Sequence, residues 1–192
     1  MTTWRRRHCL LAALAWGARP TGAWASQGAW AAQTPVTALW PEARLRGQAR
    51  LRVWGFQVYD ARLWAPPVFD PDRWATQPCA LELDYLRAFK GTDIAARSLQ
   101  EMQKQAASPA GLAAQWLQQM TNLFPDVAPG DEITGFWQPG QALRFYLNGR
   151  SLGALSGPDL PERFMGIWLS PHTSEPALRA ALLGTADTRG AR

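Results

Sequence analysis

Hydrophobic and polar residues alternate with a period of two in several stretches of the chain. In the first of them, Ala49 and Leu51 fall on one face, and Arg50 and Arg52 fall on the other. Such alternation is typical of a strand with one buried face. It predicts strands at Arg44–Trp54, Phe56–Trp64, Cys79–Arg87, Asp131–Gln138, Ala142–Leu147 and Arg150–Leu155.

Apolar residues recur at helical spacing between and after these strands. They predict helices over about 90–108 and 110–123, one that starts near Asp159, and one from Ser174 to Gly184. Asp159-Leu160-Pro161-Glu162 resembles a capping box, and Asn148-Gly149 is a strong hairpin signal because both residues tolerate positive φ. Strands and helices follow one another without a β-α-β rhythm, which predicts an α+β fold with a mostly antiparallel sheet.

The first 25 residues have the order of a secretory signal peptide. Three arginines precede a short apolar run, and Ala23-Trp24-Ala25 offers small residues at a cleavage site before Ser26. The alternative is a short amphipathic helix at the start of a cytosolic domain. We therefore expect a signal peptide at 1–25, a leader at 26–41, one domain at 42–184 and a tail at 185–192. The protein is then periplasmic or secreted, by the Sec or the twin-arginine route.

Composition and charge exclude several classes of protein. Of 192 residues, 47% are hydrophobic and 18% are charged, which argues against intrinsic disorder. The net charge of +5 depends on four arginines within residues 1–25, because the rest of the chain has 16 basic and 15 acidic residues. A nucleic-acid partner is therefore not expected. No later stretch has the length of apolar residues that a membrane span needs.

Few residues with metal-binding or nucleophilic chemistry remain after the signal peptide. His172 is the only histidine there and Cys79 the only cysteine, so we expect no histidine-rich metal site and no internal disulfide. No phosphate-loop motif occurs, and no cofactor is expected. Cys79 is interpreted as a small buried hydrophobe. Trp54 and Trp64 are candidates either to line an apolar ligand pocket or to cover the sheet beneath the helices.

Several short motifs, taken in order, carry a resemblance to a known family. They are Gly47–Arg50, Gly55–Trp64, Leu83–Arg87, Phe124–Asp131, Asn148-Gly149, Leu152-Gly153, Phe164–Leu169 and Leu182–Gly184. With these motifs, residues 35–184 resemble the chalcone isomerase-like family, in particular its exported bacterial branch. The resemblance implies an open-faced β-sandwich, in which a long antiparallel sheet carries helices on one face and a ligand cleft lies between them.

The resemblance also assigns candidate site residues. The plant enzymes of the family close a chalcone into a flavanone with an arginine on an early strand and the hydroxyl groups of Thr and Tyr side chains. Arg50 falls at the arginine and Tyr59 near the strand threonine. Ile94 replaces a tyrosine, Glu101 falls near an asparagine, and Pro161 replaces a Ser or Thr. Losing one oxyanion donor typically costs about 10²–10³ in rate, so isomerase activity is not expected.

Fatty-acid-binding members of the family hold the ligand carboxylate between the arginine and a tyrosine. We therefore expect a non-catalytic protein that binds a small apolar carboxylate, such as a fatty acid, in the sheet–helix cleft. Arg50 is the expected anion anchor, with Tyr59, Tyr85 and Ile94 as further ligand contacts. The alternative for Arg50 is a solvated side chain on an arginine-rich strand. Two other functions stay open: an intramolecular lyase acting on a chalcone-like enone, and a partner-binding envelope protein without a small ligand.

Overall fold

The structure, a computed structural model, describes residues 36–107 and 111–185. The predicted signal peptide, most of the leader, and residues 186–192 of the predicted tail lie outside the described residues and stay predictions. Six strands form one sheet. They are β1 Arg44–Val53, β2 Phe56–Ala65, β3 Cys79–Tyr85, β4 Glu132–Trp137, β5 Leu143–Leu147 and β6 Arg150–Leu155.

The described helices lie before, within and after the run of strands. They are α1 Val36–Leu39, α2 Gly91–Gln105, α3 Leu112–Leu123, α4 Leu160–Leu169 and α5 Pro176–Leu182, with a 3-10 helix at Pro71–Thr76 between β2 and β3. The helix α1 falls in the predicted leader, and its Val36 is buried. Pro125 follows the end of α3, as expected for a residue that cannot continue a helix.

The sheet is an antiparallel meander in which each strand pairs with the next one along the chain. Two-residue turns close the β1–β2 and β5–β6 hairpins. Trp54 and Gly55 have φ values of 49° and 82°, and Asn148 and Gly149 have φ values of 49° and 77°. Positive φ at both positions is the geometry that matches the twist of paired strands. The α+β class and the open antiparallel sheet predicted from the sequence are confirmed.

The start of α4 differs from the predicted capping box. Asp159 has φ 61° and ψ −24°, and its side chain makes no capping hydrogen bond. A capping side chain works from an extended backbone, which Asp159 does not have. Pro161 in the first turn also lacks the amide hydrogen that a cap would satisfy. The start of the helix is therefore stabilised by the fixed φ of Pro161 and by the burial of Leu160, and not by a capping side chain.

The two faces of the sheet differ in chemistry. The inner face carries a continuous apolar core that includes Ala61, Leu83 and Ile133, which stand level with one another on β2, β3 and β4. The described helices other than α1 pack against the inner face and contribute side chains to this core. Buried Cys79 belongs to it, and burial raises the pKa of its thiol, so the interpretation as a small hydrophobe fits the structure.

The outer face holds a band of charged side chains. Arg62 on β2 forms ion pairs with Glu82 and Asp84 on β3. Glu132 on β4 is buried and accepts a hydrogen bond from Thr134. Burial, followed by the charge of Glu82, raises the pKa of Glu132 to about 7, while Thr134 and Arg62 act in the opposite direction.

Glu132→Gln is expected to change the pH dependence of stability. The folded state holds the Glu132 proton up to about pH 7, whereas an unfolded glutamate releases it near its ordinary pKa of 4.5. Folding therefore loses stability as the pH rises through this window. We expect the drop in unfolding free energy between pH 5 and pH 8 to be about 1–3 kcal/mol smaller in Glu132→Gln. Urea unfolding at each pH measures the unfolding free energy, and Glu162→Gln, at an exposed position, is the control. The same change in unfolding free energy between pH 5 and pH 8 in the wild type and both variants would contradict the prediction.

Candidate functional site

A cavity of about 520 Å³ lies between the inner face of the sheet and helices α2, α4 and α5. Its walls are mainly apolar, with Leu51, Leu83 and Ile133 on the sheet side. Ile94, Phe164 and Leu178 line it on the helix side. A volume in the range of about 300–1,000 Å³ with mostly apolar walls is typical of small-molecule sites. This cavity is the candidate functional site.

Packed aromatic rings form one wall of the cavity. Phe145 on β5 lies 5.2 Å from Phe124 and 5.3 Å from Phe164, measured between ring centroids. Phe164 is followed one helical turn later by Trp168, at 5.5 Å. Their edge-to-face and tilted contacts are favourable arrangements for aromatic pairs. The wall is therefore held by packing before any ligand enters.

Three of the four predicted ligand contacts line this cavity. Tyr59 and Tyr85 face each other across β2 and β3 with ring centroids 6.0 Å apart, and Ile94 lies on α2. The Tyr59 hydroxyl accepts a hydrogen bond of 2.9 Å from Trp168 Nε1. Burial raises the pKa of both tyrosines, so their hydroxyl groups stay neutral and can donate hydrogen bonds. Their contact with a ligand stays a prediction.

The structure does not bring Arg50 to the cavity. It lies on the outer face of the sheet, where its guanidinium donates to both carboxylate oxygens of Asp60, at 2.6 Å and 2.7 Å, and to Gln57. The Arg50 side chain is 39% exposed. The inward positions beside it are Ala49 and Leu51, because successive strand residues point to opposite faces. The expected anion anchor is therefore corrected: Arg50 stabilises the β1–β2 pair and cannot reach a ligand in the cavity.

A polar cluster that the sequence analysis did not identify as a unit lies in the α2 wall. Glu101 accepts hydrogen bonds from Lys104 at 2.8 Å and from Ser174 at 2.6 Å, and it forms an ion pair with Arg97 at 2.7 Å. Burial opposes ionisation of Glu101, but these partners outweigh it and hold its pKa below the ordinary value. The spacing of Ile94, Arg97 and Glu101 places them on one face of the helix. This spacing is the feature of the sequence from which the cluster could have been predicted.

The mouth of the cavity lies at the tip of the β1–β2 hairpin, which contains Trp54, one of the two tryptophans considered from the sequence for an apolar ligand pocket. Trp54 and Phe56 line the mouth and are 94% and 60% exposed. Arg87, just after β3, places its guanidinium carbon 4.8 Å from the centre of the Phe56 ring. Within the described residues Arg87 forms no ion pair. Arg87 is therefore a cation available to a ligand at the entrance. Trp64, the other tryptophan considered for the pocket, lies on the outer face of the sheet, away from the cavity.

Other reactive chemistry is sparse in the part of the chain that the structure describes. No group of three or more His, Cys, Asp or Glu residues is placed to hold a metal ion there. Gly149-Arg150-Ser151-Leu152-Gly153 matches the Gly-x-Ser-x-Gly pattern, but it runs along β6 with Ser151 exposed, not at the strand-to-helix turn of a nucleophile elbow. None of the described helices is long and apolar enough to cross a membrane.

Comparisons with known proteins bear on the family and the fold of this chain. The sequence profile described as chalcone isomerase-like matches residues 32–184. An uncharacterized protein of Haemophilus influenzae is 28% identical over 108 residues, a stretch that covers 56% of this chain and about half (52%) of the length of that relative. The crystal structure of a fatty-acid-binding protein of Arabidopsis thaliana superposes with a TM-score of 0.60 at 13% identity, covering 76% of this chain and 88% of that one. At this identity the superposition shows a shared fold.

Proposed function

Because this chain belongs to the chalcone isomerase-like family, we propose that it binds a fatty acid or a similar apolar carboxylate in the cavity between sheet and helices. The observation that carries the proposal is the cavity itself, which combines about 520 Å³ of space with mainly apolar walls. The fatty-acid-binding protein of Arabidopsis thaliana that shares the fold supports the same class of ligand.

The apolar walls supply the driving force for an alkyl chain. Each methylene group moved from water into such walls contributes about 0.8 kcal/mol. Ten buried methylene groups contribute about 8 kcal/mol before the entropic costs of association are subtracted. Because the aromatic wall is already packed, little of this free energy is used to order the protein.

The carboxylate end of the ligand belongs at the mouth, beside Arg87. A buried carboxylate needs a cation or several hydrogen bonds, since an unpaired charge in apolar surroundings is costly. Arg97 already pairs with Glu101, and Glu101 and Glu175 in the helix walls are themselves negative. Arg87 forms no ion pair with a described residue, and it lies at the solvent end of the cavity. This orientation leaves the alkyl chain to the apolar interior.

Binding accounts for the structure better than either alternative. A lyase would need charge-stabilising donors at the reacting oxygen. The residue that the resemblance aligned with the family's arginine faces the other side of the sheet, and Ile94 offers no hydroxyl in the cavity. Of the aligned donors, Tyr59 keeps a hydroxyl there, without the aligned cation that would stabilise a developing oxyanion beside it. A partner-binding protein without a ligand predicts a cleft collapsed onto Trp and Leu side chains. The cavity of about 520 Å³ argues against that collapse.

Two matched arginine variants test the proposed orientation. We expect Arg87→Gln to weaken binding of dodecanoate by about three- to tenfold and to leave binding of dodecanol unchanged, because only the carboxylate uses the cation. Arg50→Gln removes an arginine from the opposite face and is expected to change neither. Isothermal titration of delipidated protein with each ligand measures both affinities. Weakened dodecanoate binding in Arg50→Gln, or equal loss of both ligands in Arg87→Gln, would refute the assignment.

A further inference from the structure

The tip of the β1–β2 hairpin exposes two aromatic side chains, one on either side of Gly55, at the entrance of the cavity. Trp54 is 94% exposed and Phe56 is 60% exposed, and both line the mouth. Val68 is 89% exposed as well, but it follows the far end of β2, whose ten residues separate it from the tip by roughly 30 Å. The paired aromatic residues are thus a local feature of the entrance.

Cationic side chains flank the same tip. Arg52 precedes the turn on β1 and Arg87 stacks on Phe56, and neither forms an ion pair with a described residue. The opposite, helical side of the mouth carries the carboxylates of Asp93 and Glu175. Arg97 on that helical side pairs with Glu101 at 2.7 Å. Among the described residues named here, the arginines without an ion pair therefore lie beside the aromatic residues, and this asymmetry gives the tip a preferred orientation toward an anionic surface.

We propose that this hairpin tip docks on a bilayer that contains anionic phospholipids. Tryptophan prefers the membrane–water interface because its ring is apolar and its indole nitrogen donates a hydrogen bond. Arginines next to it are attracted by the negative surface potential of anionic lipids. Docking in this orientation places the mouth of the cavity against the lipid, so that an apolar ligand passes between bilayer and cavity without crossing water. This last step rests on the proposed function, whereas the docking itself does not.

Vesicle flotation of the ligand-free full chain tests the docking. The vesicles are pure phosphatidylcholine, or phosphatidylcholine with phosphatidylglycerol in equal parts. Trp54→Asn removes the indole and keeps the hairpin, because Asn-Gly is a favoured sequence for this turn. Val68→Asn is the matched control, an equally exposed apolar residue away from the mouth. All three proteins carry the same residues 1–35, so the N-terminal apolar run contributes equally to each.

We expect the wild type to partition onto the anionic vesicles about tenfold more strongly than onto the neutral ones. Trp54→Asn should lower that partition coefficient about tenfold, and Val68→Asn should leave it within about twofold of the wild type. Equal partitioning onto both vesicle types, no loss in Trp54→Asn, or an equal loss in Val68→Asn would overturn the docking. Titration with dodecanoate in the absence of vesicles reports separately on the proposed function, so either proposal can fail alone.

Discussion

Gly47→Ala is expected to destabilise the protein by at least about 3 kcal/mol or to prevent folding. A Cβ atom at position 47 would fall on the carbonyl oxygen of Ala181 and come within 2.5 Å of the carbonyl oxygen of Leu182. These are backbone atoms of α5, so no side-chain rotation relieves the clash. The helix must move away from β1, and its Leu178 forms part of the cavity wall. The variant is therefore expected to disturb the site as well as the fold.

Urea unfolding measures the effect, and Gly140→Ala is the matched control. Gly140 has φ 76°, and a Cβ atom there meets nothing within 4 Å, so alanine costs only the backbone conformation, about 1–2 kcal/mol. A hydrogen bond from Arg46 to the Leu183 carbonyl also fixes the C-terminal end of α5 against β1, so this end of the helix cannot easily move away from position 47. A Gly47→Ala protein as stable as Gly140→Ala would show that α5 does not pack on β1 as described.

The strand pattern predicted the orientation of side chains on β1 more reliably than the family resemblance did. Alternation alone places Arg50 and Arg52 opposite Ala49 and Leu51, and the structure has that arrangement. The resemblance nevertheless assigned Arg50 to the cleft. Because a shift of one residue moves a strand side chain to the other face, an alignment that is one position out assigns the wrong side chain to the ligand. For β1, the alternation of the strand is the better guide to which side chains face the cavity.

Other parts of the site depend on contacts that are distant in sequence. Tyr59 and Trp168 are joined by a hydrogen bond across 109 residues, and Glu101 meets Ser174 across 73 residues. Local pattern predicts that each belongs to a strand, helix or loop, but not which partners they reach. The tip of the first hairpin could be recognised from Trp54-Gly55, since glycine there permits a tight turn. Its position at the mouth of a cavity follows only from how the helices cover the sheet.

Ile94→Trp is expected to reduce the affinity for dodecanoate at least about tenfold. Ile94 lies on α2 in the wall of a cavity of about 520 Å³, so a larger ring has space on the cavity side. An indole there displaces part of the alkyl chain. Two methylene groups excluded from the walls cost about 1.6 kcal/mol, which corresponds to slightly more than tenfold in affinity.

Thr92→Trp provides the matched control for this variant. Thr92 lies on the same helix two residues earlier, is exposed, and does not line the cavity. It adds the same side chain to the same element without occupying the ligand space. We expect its affinity for dodecanoate to stay within about twofold of the wild type. Thermal unfolding of both variants checks that each remains folded.

The most direct test of the cavity as a fatty-acid site is a calorimetric titration of delipidated wild type, Ile94→Trp and Thr92→Trp with dodecanoate. We predict saturable binding of one ligand molecule per chain in the wild type and Thr92→Trp, and binding at least about tenfold weaker in Ile94→Trp. Absence of saturable binding in the wild type, or equal affinity in all three folded proteins, would contradict the account.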